Sequence, residues 1–157
     1  MSFHIKESEL DEKKMLKQLH DPRAGATVQF HGLVRNHNEG REVLSLAYEA
    51  YKEMAELEGK IIIDEAIAKF GILNAYCEHR VGHLEIGDVA VWVVAFSKHR
   101  NEGFLACRYI IDEVKARVPI WKKEFYCDGT DEWVYCPNCA GYAKDQQHDH
   151  DHDHKHD

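Results

Sequence analysis

The spacing of apolar residues predicts two long amphipathic helices. In residues 53–70 apolar side chains recur every three or four positions, and Gly71 follows. A second segment with this spacing covers residues 102–117 and precedes Pro119. Because this spacing places apolar side chains on one face of a helix, each segment is expected to pack against a core. The expected buried stripes are Met54, Leu57, Ile61, Ile63, Ala66, Ile67 and Phe70, and then Phe104, Cys107, Ile111 and Val114.

Shorter apolar segments predict strands around these helices, and a short helix is predicted at residues 12–20. Residues 89–96 are apolar on both faces, which is typical of a central strand. The strands at 26–34 and 43–51 are expected to form a hairpin with a mobile tip. Because strands arrive in hairpins rather than alternating strictly with helices, the pattern predicts an α+β fold. The predicted strands are residues 3–5, 26–34, 43–51, 73–86 with a break at Gly82, 89–96, 120–126 and 133–135.

The composition predicts one domain followed by a tail. The chain has 157 residues, and a domain typically takes about 150. We assign residues 1–142 to the domain and the His/Asp-rich residues 143–157 to a disordered tail. The start of the chain lacks the pattern of a secretory signal, and apolar runs are too short to span a membrane, so a cytoplasmic location is expected. A net charge of −8 argues against general nucleic-acid binding.

Basic residues cluster at the predicted ends of elements. Residues 97–100, Ser-Lys-His-Arg, fall where the central strand ends and the second long helix begins. Unpaired N–H groups there would bind a phosphate or carboxylate, although a polar helix cap explains the same residues. Lys115 is either a candidate functional lysine or compensates the helix dipole. Lys122 lies beside apolar neighbours, where a lysine can become a base or nucleophile. Arg35 ends another predicted strand.

Histidine and cysteine residues give weaker indications. His79 is interpreted as a structural histidine, and Cys77 and Cys107 as small core residues. Cys136 and Cys139 form a CxxC pair, which is either half of a zinc site or a turn with two free thiols. The tail histidines could bind zinc or nickel adventitiously. Whether the pair or the tail binds metal in function is left open, and no metal is required.

Five ordered segments between about Phe3 and Val134 resemble the large, catalytic subunits of molybdopterin synthase, the MoaE family. Each segment is weak evidence alone, whereas their order along the chain is specific. After Val134 the family often has basic residues, where this chain has the CxxC pair and the tail. The segments are FHGLVRN at 30–36, LAYEAY at 46–51 followed by Met54-Ala55, HRVGHLEIG at 79–87, SKHR at 97–100 and KARVPIWKKE at 115–124.

The resemblance implies a fold and a reaction. The fold is an α/β hammerhead with antiparallel and mixed sheets and two main helices. The assembly is a homodimer that binds two small ubiquitin-like, MoaD-like carrier subunits, giving a heterotetramer. The reaction transfers sulfur from the thiocarboxylate at the carrier's C-terminal Gly-Gly to cyclic pyranopterin monophosphate. The product is the dithiolene of molybdopterin, and the enzyme needs no cofactor.

The resemblance also assigns site residues. Lys115 and Lys122 are the expected catalytic residues, acting in acid–base steps and stabilising negative charge. The main alternative is a metal-handling protein that uses Cys136, Cys139 and the tail without catalysis, which would explain the final 22 residues but none of the five segments. The expected substrate-binding residues are Leu33, Val34, Arg35, His99, Arg100, Lys115, Lys122, Lys123 and Glu124.

Overall fold

A computed structural model describes residues 2–135 of the chain, in which helices and strands are mixed. Three sequence-based predictions concern residues outside this range, namely the domain boundary after residue 142, the tail, and the pair Cys136 and Cys139. The elements are β1 (Phe3–Lys6), α1 (Glu12–Leu19), β2 (Ala26–Leu33), β3 (His37–Asn38), β4 (Arg41–Ala50), α2 (Lys52–Phe70), β5 (Asn74–Arg80), β6 (Gly82–Glu85), β7 (Val89–Ser97), α3 (Arg100–Arg117), β8 (Ile120–Tyr126) and β9 (Asp131–Tyr135).

The first sheet contains four strands in the order β1-β5-β7-β2. β7 pairs antiparallel with β5 and β2, and β1 pairs parallel with β5. All of β7 except Val89 is buried, which confirms the central strand predicted from its apolar pattern. The predicted break at Gly82 is also confirmed, because β5 and β6 join different sheets there.

Helices α2 and α3 cover one face of this sheet and form the main core with it. Both predicted long helices are present, and α2 ends where the sequence indicates. Gly71 has a φ of 64° and donates its N–H to the Ile67 carbonyl at 3.0 Å. This left-handed position costs glycine little, which explains the stop.

The predicted buried stripe is wrong in the first half of α2. Its buried positions there are small, and a Cβ on Gly59 would collide with the ring of Phe3. Small residues are needed because the helix lies so close to β1. In α3, Ile111 and Val114 are buried as expected. The predicted stripe positions that are exposed are Met54, Leu57, Ile61 and Phe104.

The second face of the first sheet is covered by α1. Tyr76 and Trp92 are fully buried there and pack with Met15, Leu16 and Leu19. Both faces of the sheet are therefore buried, which explains why polar and apolar residues do not alternate clearly along β5 and β7. Cys77 and Cys107 are buried free thiols, as the sequence predicts.

The second sheet has the order β3-β4-β8-β9, with β6 paired to β4. The predicted hairpin between residues 26–34 and 43–51 is wrong, because β2 and β4 belong to different sheets. The intervening segment instead forms β3 and a tight turn to β4. Glu39 and Gly40 have φ values of 50° and 81°, as in the turns that join two-residue hairpins. The result is an α+β arrangement with two sheets.

The two sheets meet at a small apolar cluster of Val34, Leu46, Leu84 and Ala90. This cluster lies beside the cavity described next, since Ala90 belongs to both. Between residues 2 and 135, no helix is long and apolar enough to cross a membrane.

Candidate active site

A cavity of about 140 Å³ opens where β2, β4, β5, β7 and β8 meet the C-terminal half of α3. Its wall is mostly apolar, and two lysines and a histidine add polar groups. Lys115 and Lys122, the two expected catalytic residues, are therefore brought to one cavity. The lining residues are Gly32, Leu33, Tyr48, His79, Ala90, Val91, Ile111, Val114, Lys115, Val118, Ile120 and Lys122.

Lys122 forms an ion pair with Glu124 on the same face of β8. The distance from Lys122 Nζ to Glu124 Oε1 is 2.9 Å. Lys122 is therefore paired with a carboxylate, rather than surrounded only by apolar groups as the sequence suggested. Asn38 Nδ2 donates to the two oxygens of Glu124 at 3.0 and 3.2 Å. The short hairpin of β3 and β4 thus holds the carboxylate from a second side.

The ionisation of Glu124 is set by these partners. Burial alone would raise the pKa of Glu124, whose side chain is only 2% exposed. The hydrogen bond and positive charge of Lys122, with hydrogen bonds from Tyr126 and Asn38, instead lower that pKa below its ordinary value. The carboxylate is therefore charged at neutral pH and holds the Lys122 ammonium group in place.

Lys115 lies in the last turn of α3, where the helix ends at Arg117. It is exposed at the mouth of the cavity, while Ile111 and Val114 of the same helix line the apolar wall. Across residues 2–135, Lys115 makes no ion pair of 4.0 Å or less with a carboxylate. Its positive charge is accordingly available to an anion that enters the cavity.

His79 lines the cavity from β5. The sequence analysis interpreted it as a structural histidine, which its burial confirms, but gave it no place in the site. Its ring is buried and meets the ring of Tyr48 edge-on, with centroids 4.8 Å apart. Nδ1 lies 2.9 Å from the backbone carbonyl of Arg80. Burial lowers the pKa of His79 to about 4; the hydrogen bond to Arg80 partly opposes this shift, and the charge of Lys115 adds to it. Position 79 falls within one of the five segments, which was the available signal.

The end of β2 brings three more expected residues near the cavity. Leu33 lines it, while Val34 is buried in the cluster between the sheets. Arg35 is exposed, and its guanidinium nitrogen lies 3.4 Å from the side-chain oxygen of Asn38. Through Asn38, which also binds Glu124, Arg35 is connected to the rim of the site.

Lys123 points away from this cavity. Since side chains alternate along a strand, it lies on the face of β8 opposite Lys122 and Glu124. Its ammonium nitrogen is 3.6 Å from Asp131 and 5.4 Å from the centre of the Trp133 ring. The geometry of one chain therefore does not place Lys123 beside Lys115.

His99 and Arg100 lie at the other end of α3. They line a separate open depression with Lys98, Asn101 and Phe104. His99 occupies the N-cap position of α3, and its side chain makes no capping hydrogen bond there. Arg100 precedes Lys115 by 15 positions, and at 1.5 Å per residue this separates them by roughly 22 Å along the axis. One copy of the chain therefore splits the expected site into two parts.

No group of three or more metal-ligating side chains occurs within residues 2–135. The candidate ligands Cys136, Cys139 and the tail histidines lie outside those residues. A metal site there stays a sequence-based prediction.

Comparison with known proteins decides the family. The family model described as "MoaE protein" matches residues 5–117, which include Lys115 and end before Lys122. The chain belongs to the MoaE family. This confirms the resemblance inferred from the five segments.

Two relatives and two solved structures extend this result. The molybdopterin synthase catalytic subunit of Thermoplasma volcanium is 43% identical over 82% of this chain and 94% of that protein. The molybdopterin synthase catalytic subunit of Pyrococcus abyssi is 48% identical over 70% of this chain and 74% of that protein. A crystal structure of molybdopterin synthase from Staphylococcus aureus has a TM-score of 0.79 and 35% identity, covering 84% of this chain and 96% of that one. A chain in a complex of subunits 1 and 2 of molybdopterin-converting factor from Helicobacter pylori 26695 shares the fold, with a TM-score of 0.66. The two chains are 21% identical, and the match covers 85% of this chain and 88% of that one.

Proposed function

We propose that this protein is the catalytic subunit of a molybdopterin synthase. It transfers sulfur from the thiocarboxylate of a small carrier subunit to cyclic pyranopterin monophosphate and so forms the dithiolene of molybdopterin. The observation that carries the proposal is the cavity shared by Lys115 and Lys122, in a MoaE-family chain whose relatives bear the name of that subunit. Because those relatives are named as subunits, they also support the proposal that this chain works with a partner protein.

The carrier brings the sulfur in this proposal. Of the described residues that line the cavity, none is a cysteine. A thiocarboxylate is an anion, and a narrow extended tail suits an opening with apolar walls and a lysine at its mouth. Lys115 binds this anion, because its exposed ammonium group lies at the cavity and makes no ion pair with a carboxylate in the described part of the chain.

The two lysines perform the proposed chemistry together. The thiocarboxylate sulfur attacks a carbon of the precursor and forms a C–S bond, while a bond from that carbon to oxygen breaks and the oxygen leaves with a proton. The carrier's acyl group stays on the sulfur as a thioester. Water then attacks the acyl carbon, and the carbonyl oxygen gains negative charge. The acyl carbon–sulfur bond breaks, the carrier leaves as a carboxylate and the sulfur stays on the precursor as a thiolate. A second carrier delivers the second sulfur of the dithiolene in the same way. Lys115 stabilises the charge on the oxygen. Lys122, held by Glu124, donates or accepts the protons of the step.

A second copy of the chain completes the proposed substrate site. His99 and Arg100 suit a phosphate because they stand at the start of α3, but their own Lys115 is at its far end. In a homodimer, His99 and Arg100 of one copy can lie beside the cavity of the other. This arrangement would unite the two parts of the site.

The remaining parts of the proposal concern cofactor and location. The reaction is proposed to need no resident cofactor, and any zinc or nickel on the tail to be adventitious. The proposed location is the cytoplasm. Free thiols at Cys77, Cys107 and Cys127 support a reducing compartment.

Reconstitution tests the function. The purified full chain is mixed with thiocarboxylated carrier and cyclic pyranopterin monophosphate, and the dithiolene product is quantified. The same carrier ending in an ordinary carboxylate is the matched control. We expect product only with the thiocarboxylate, and no product above the control would contradict the proposal.

A further inference from the structure

His79 is a polar cavity residue that the assigned set of substrate contacts omits. It lies on β5, opposite Val91 of β7, and its ring forms part of the cavity wall. The ring is 7% exposed and is fixed by the edge-on contact with Tyr48. A side chain fixed in this way presents one defined polar atom to a ligand.

The hydrogen bond to Arg80 identifies that atom. A carbonyl oxygen only accepts, so His79 Nδ1 must carry the hydrogen that it donates over 2.9 Å. Because the pKa of His79 is lowered to about 4, the ring is neutral near pH 7. A neutral imidazole carries one hydrogen, which leaves Nε2 with its lone pair. His79 is therefore an acceptor at Nε2.

A neutral acceptor complements the charged donors of the cavity. Lys115 and Lys122 only donate hydrogen bonds, and the uncompensated charge of Lys115 attracts an anion. A ligand that satisfies all three combines an anionic or carbonyl group with a hydrogen-bond donor, such as an N–H group, on another side.

We propose that His79 is a recognition residue that accepts a hydrogen bond at Nε2 from an N–H group of a reactant bound over Lys115 and Lys122. The proposal rests on the proposed function and names a contact within it. Two sources can supply the N–H group, namely the pterin ring of the precursor and a backbone amide of the carrier's C-terminal tail. Both reactants also bring negative charge to the lysines.

Two substitutions separate hydrogen bonding from shape. His79→Phe keeps a flat ring against Tyr48 and removes the acceptor. His79→Gln places an amide oxygen near the position of Nε2. The KM for the precursor and the KM for the thiocarboxylated carrier are measured separately, with kcat and the melting temperature of each variant.

We expect His79→Phe to raise one KM about tenfold, because a reactant N–H group loses its acceptor in a buried site. A change confined to the precursor identifies the pterin as donor, and one confined to the carrier identifies the tail amide. His79→Gln should restore that KM to within about threefold of the wild-type value.

Several results would overturn the proposal. Unchanged KM values in His79→Phe, a fall in kcat alone, or equal impairment by Phe and Gln would exclude an acceptor role. An inactive wild-type protein in the same assay would overturn the proposed function and this contact together. If His79→Phe fails to fold, the proposal is tested instead by nuclear magnetic resonance of the two imidazole nitrogens of His79 in the wild-type protein. On addition of the reactants the Nε2 resonance should shift while Nδ1 stays, and an unchanged Nε2 resonance contradicts the proposal.

Discussion

The ammonium nitrogen of Lys122 lies 2.9 Å from the almost completely buried carboxylate of Glu124. A close pair of opposite charges has little net charge, so Lys122 adds little to the field of the cavity. Lys115 has no such partner in the described part of the chain and supplies the uncompensated charge. We therefore expect Lys115 to bind and stabilise anions, and Lys122 to act in proton transfer.

The ion pair can be tested by removing each partner. Lys122→Met leaves the buried Glu124 carboxylate without its cation, and we expect it to lower the free energy of unfolding by about 3 kcal/mol. Glu124→Gln should cost less, because the Lys122 side chain is 20% exposed and can reach water. Urea unfolding of each variant measures these changes.

The double variant Lys122→Met with Glu124→Gln separates stability from catalysis. It removes both charges, so we expect it to regain most of the stability that Lys122→Met loses while staying inactive. Strictly additive losses in stability would show that the two side chains do not act as a pair.

Substitutions at opposite ends of α3 test whether the substrate site is shared between two copies of the chain. Lys115→Ala and Arg100→Ala should each be inactive as homodimers. After subunit exchange in equal amounts, half of the dimers are hybrids, and each hybrid holds one intact site. We expect activity to recover to about one quarter of the wild-type value.

The matched control for that experiment mixes Lys115→Ala with Lys122→Ala. Both changes lie in one cavity, so every site in a hybrid lacks one lysine and activity should not recover. No recovery in the first mixture, despite verified exchange of subunits, would place the whole site within one chain.

The buried His79 predicts a pH dependence of stability. Its pKa is about 4 in the folded protein, against an ordinary value of 6.5. Between pH 4 and pH 6.5 the histidine is protonated in the unfolded chain and neutral in the folded protein, so acid favours unfolding. The contribution of the neutral, buried His79 to the free energy of unfolding is therefore complete above about pH 6.5 and is lost as the pH falls toward 4. A shift of this size corresponds to roughly 3 kcal/mol.

Comparison with His79→Gln isolates this effect from other titrating groups. The free energy of unfolding of the wild-type protein minus that of the variant should be larger at pH 7.5 than at pH 4.5 by about 2 to 3 kcal/mol. Equal differences at the two pH values would contradict a neutral, buried histidine.

The C-terminal tail is expected to be dispensable for sulfur transfer. The residues lining the cavity all lie between Gly32 and Lys122. Deleting residues 143–157 should therefore leave the turnover unchanged and reduce metal binding. A large loss of turnover would assign the tail a part in the reaction.

The cysteine pair needs a separate measurement. We expect the tail-deleted protein, purified without an affinity metal, to contain no stoichiometric zinc. One tightly bound zinc per chain, lost with a drop in melting temperature when Cys136 and Cys139 are changed to serine, would establish a structural site instead.

The sequence predicts elements better than it predicts their pairing. The central strand β7 and the stop of α2 at Gly71 follow from local patterns and are confirmed. The pairing of β2 with β7, and not with β4, depends on contacts distant in sequence. Local spacing also favoured large residues such as Met54, whereas close packing against β1 selects Gly59.

The candidate site follows the same division. Lys115 could be located because the last turn of a helix is a local feature, and the resemblance added its role. His79 could not, since β5 is buried on both faces and no alternation shows which side chain meets the cavity. The roughly 22 Å that separates Arg100 from Lys115 in one chain, by contrast, already follows from the helix predicted at residues 102–117, which the structure confirms as α3.

The most direct test of the account measures a single turnover with Lys115→Ala. The variant is mixed with saturating thiocarboxylated carrier and precursor, and formation of the dithiolene is followed. Lys60→Ala is the matched control, because Lys60 is an exposed helical lysine paired with Asp64 on α2. We expect Lys115→Ala to slow the reaction by at least about 100-fold with an unchanged melting temperature, and Lys60→Ala to react like the wild type. Turnover of Lys115→Ala at the wild-type rate would contradict the assignment of sulfur transfer to this cavity.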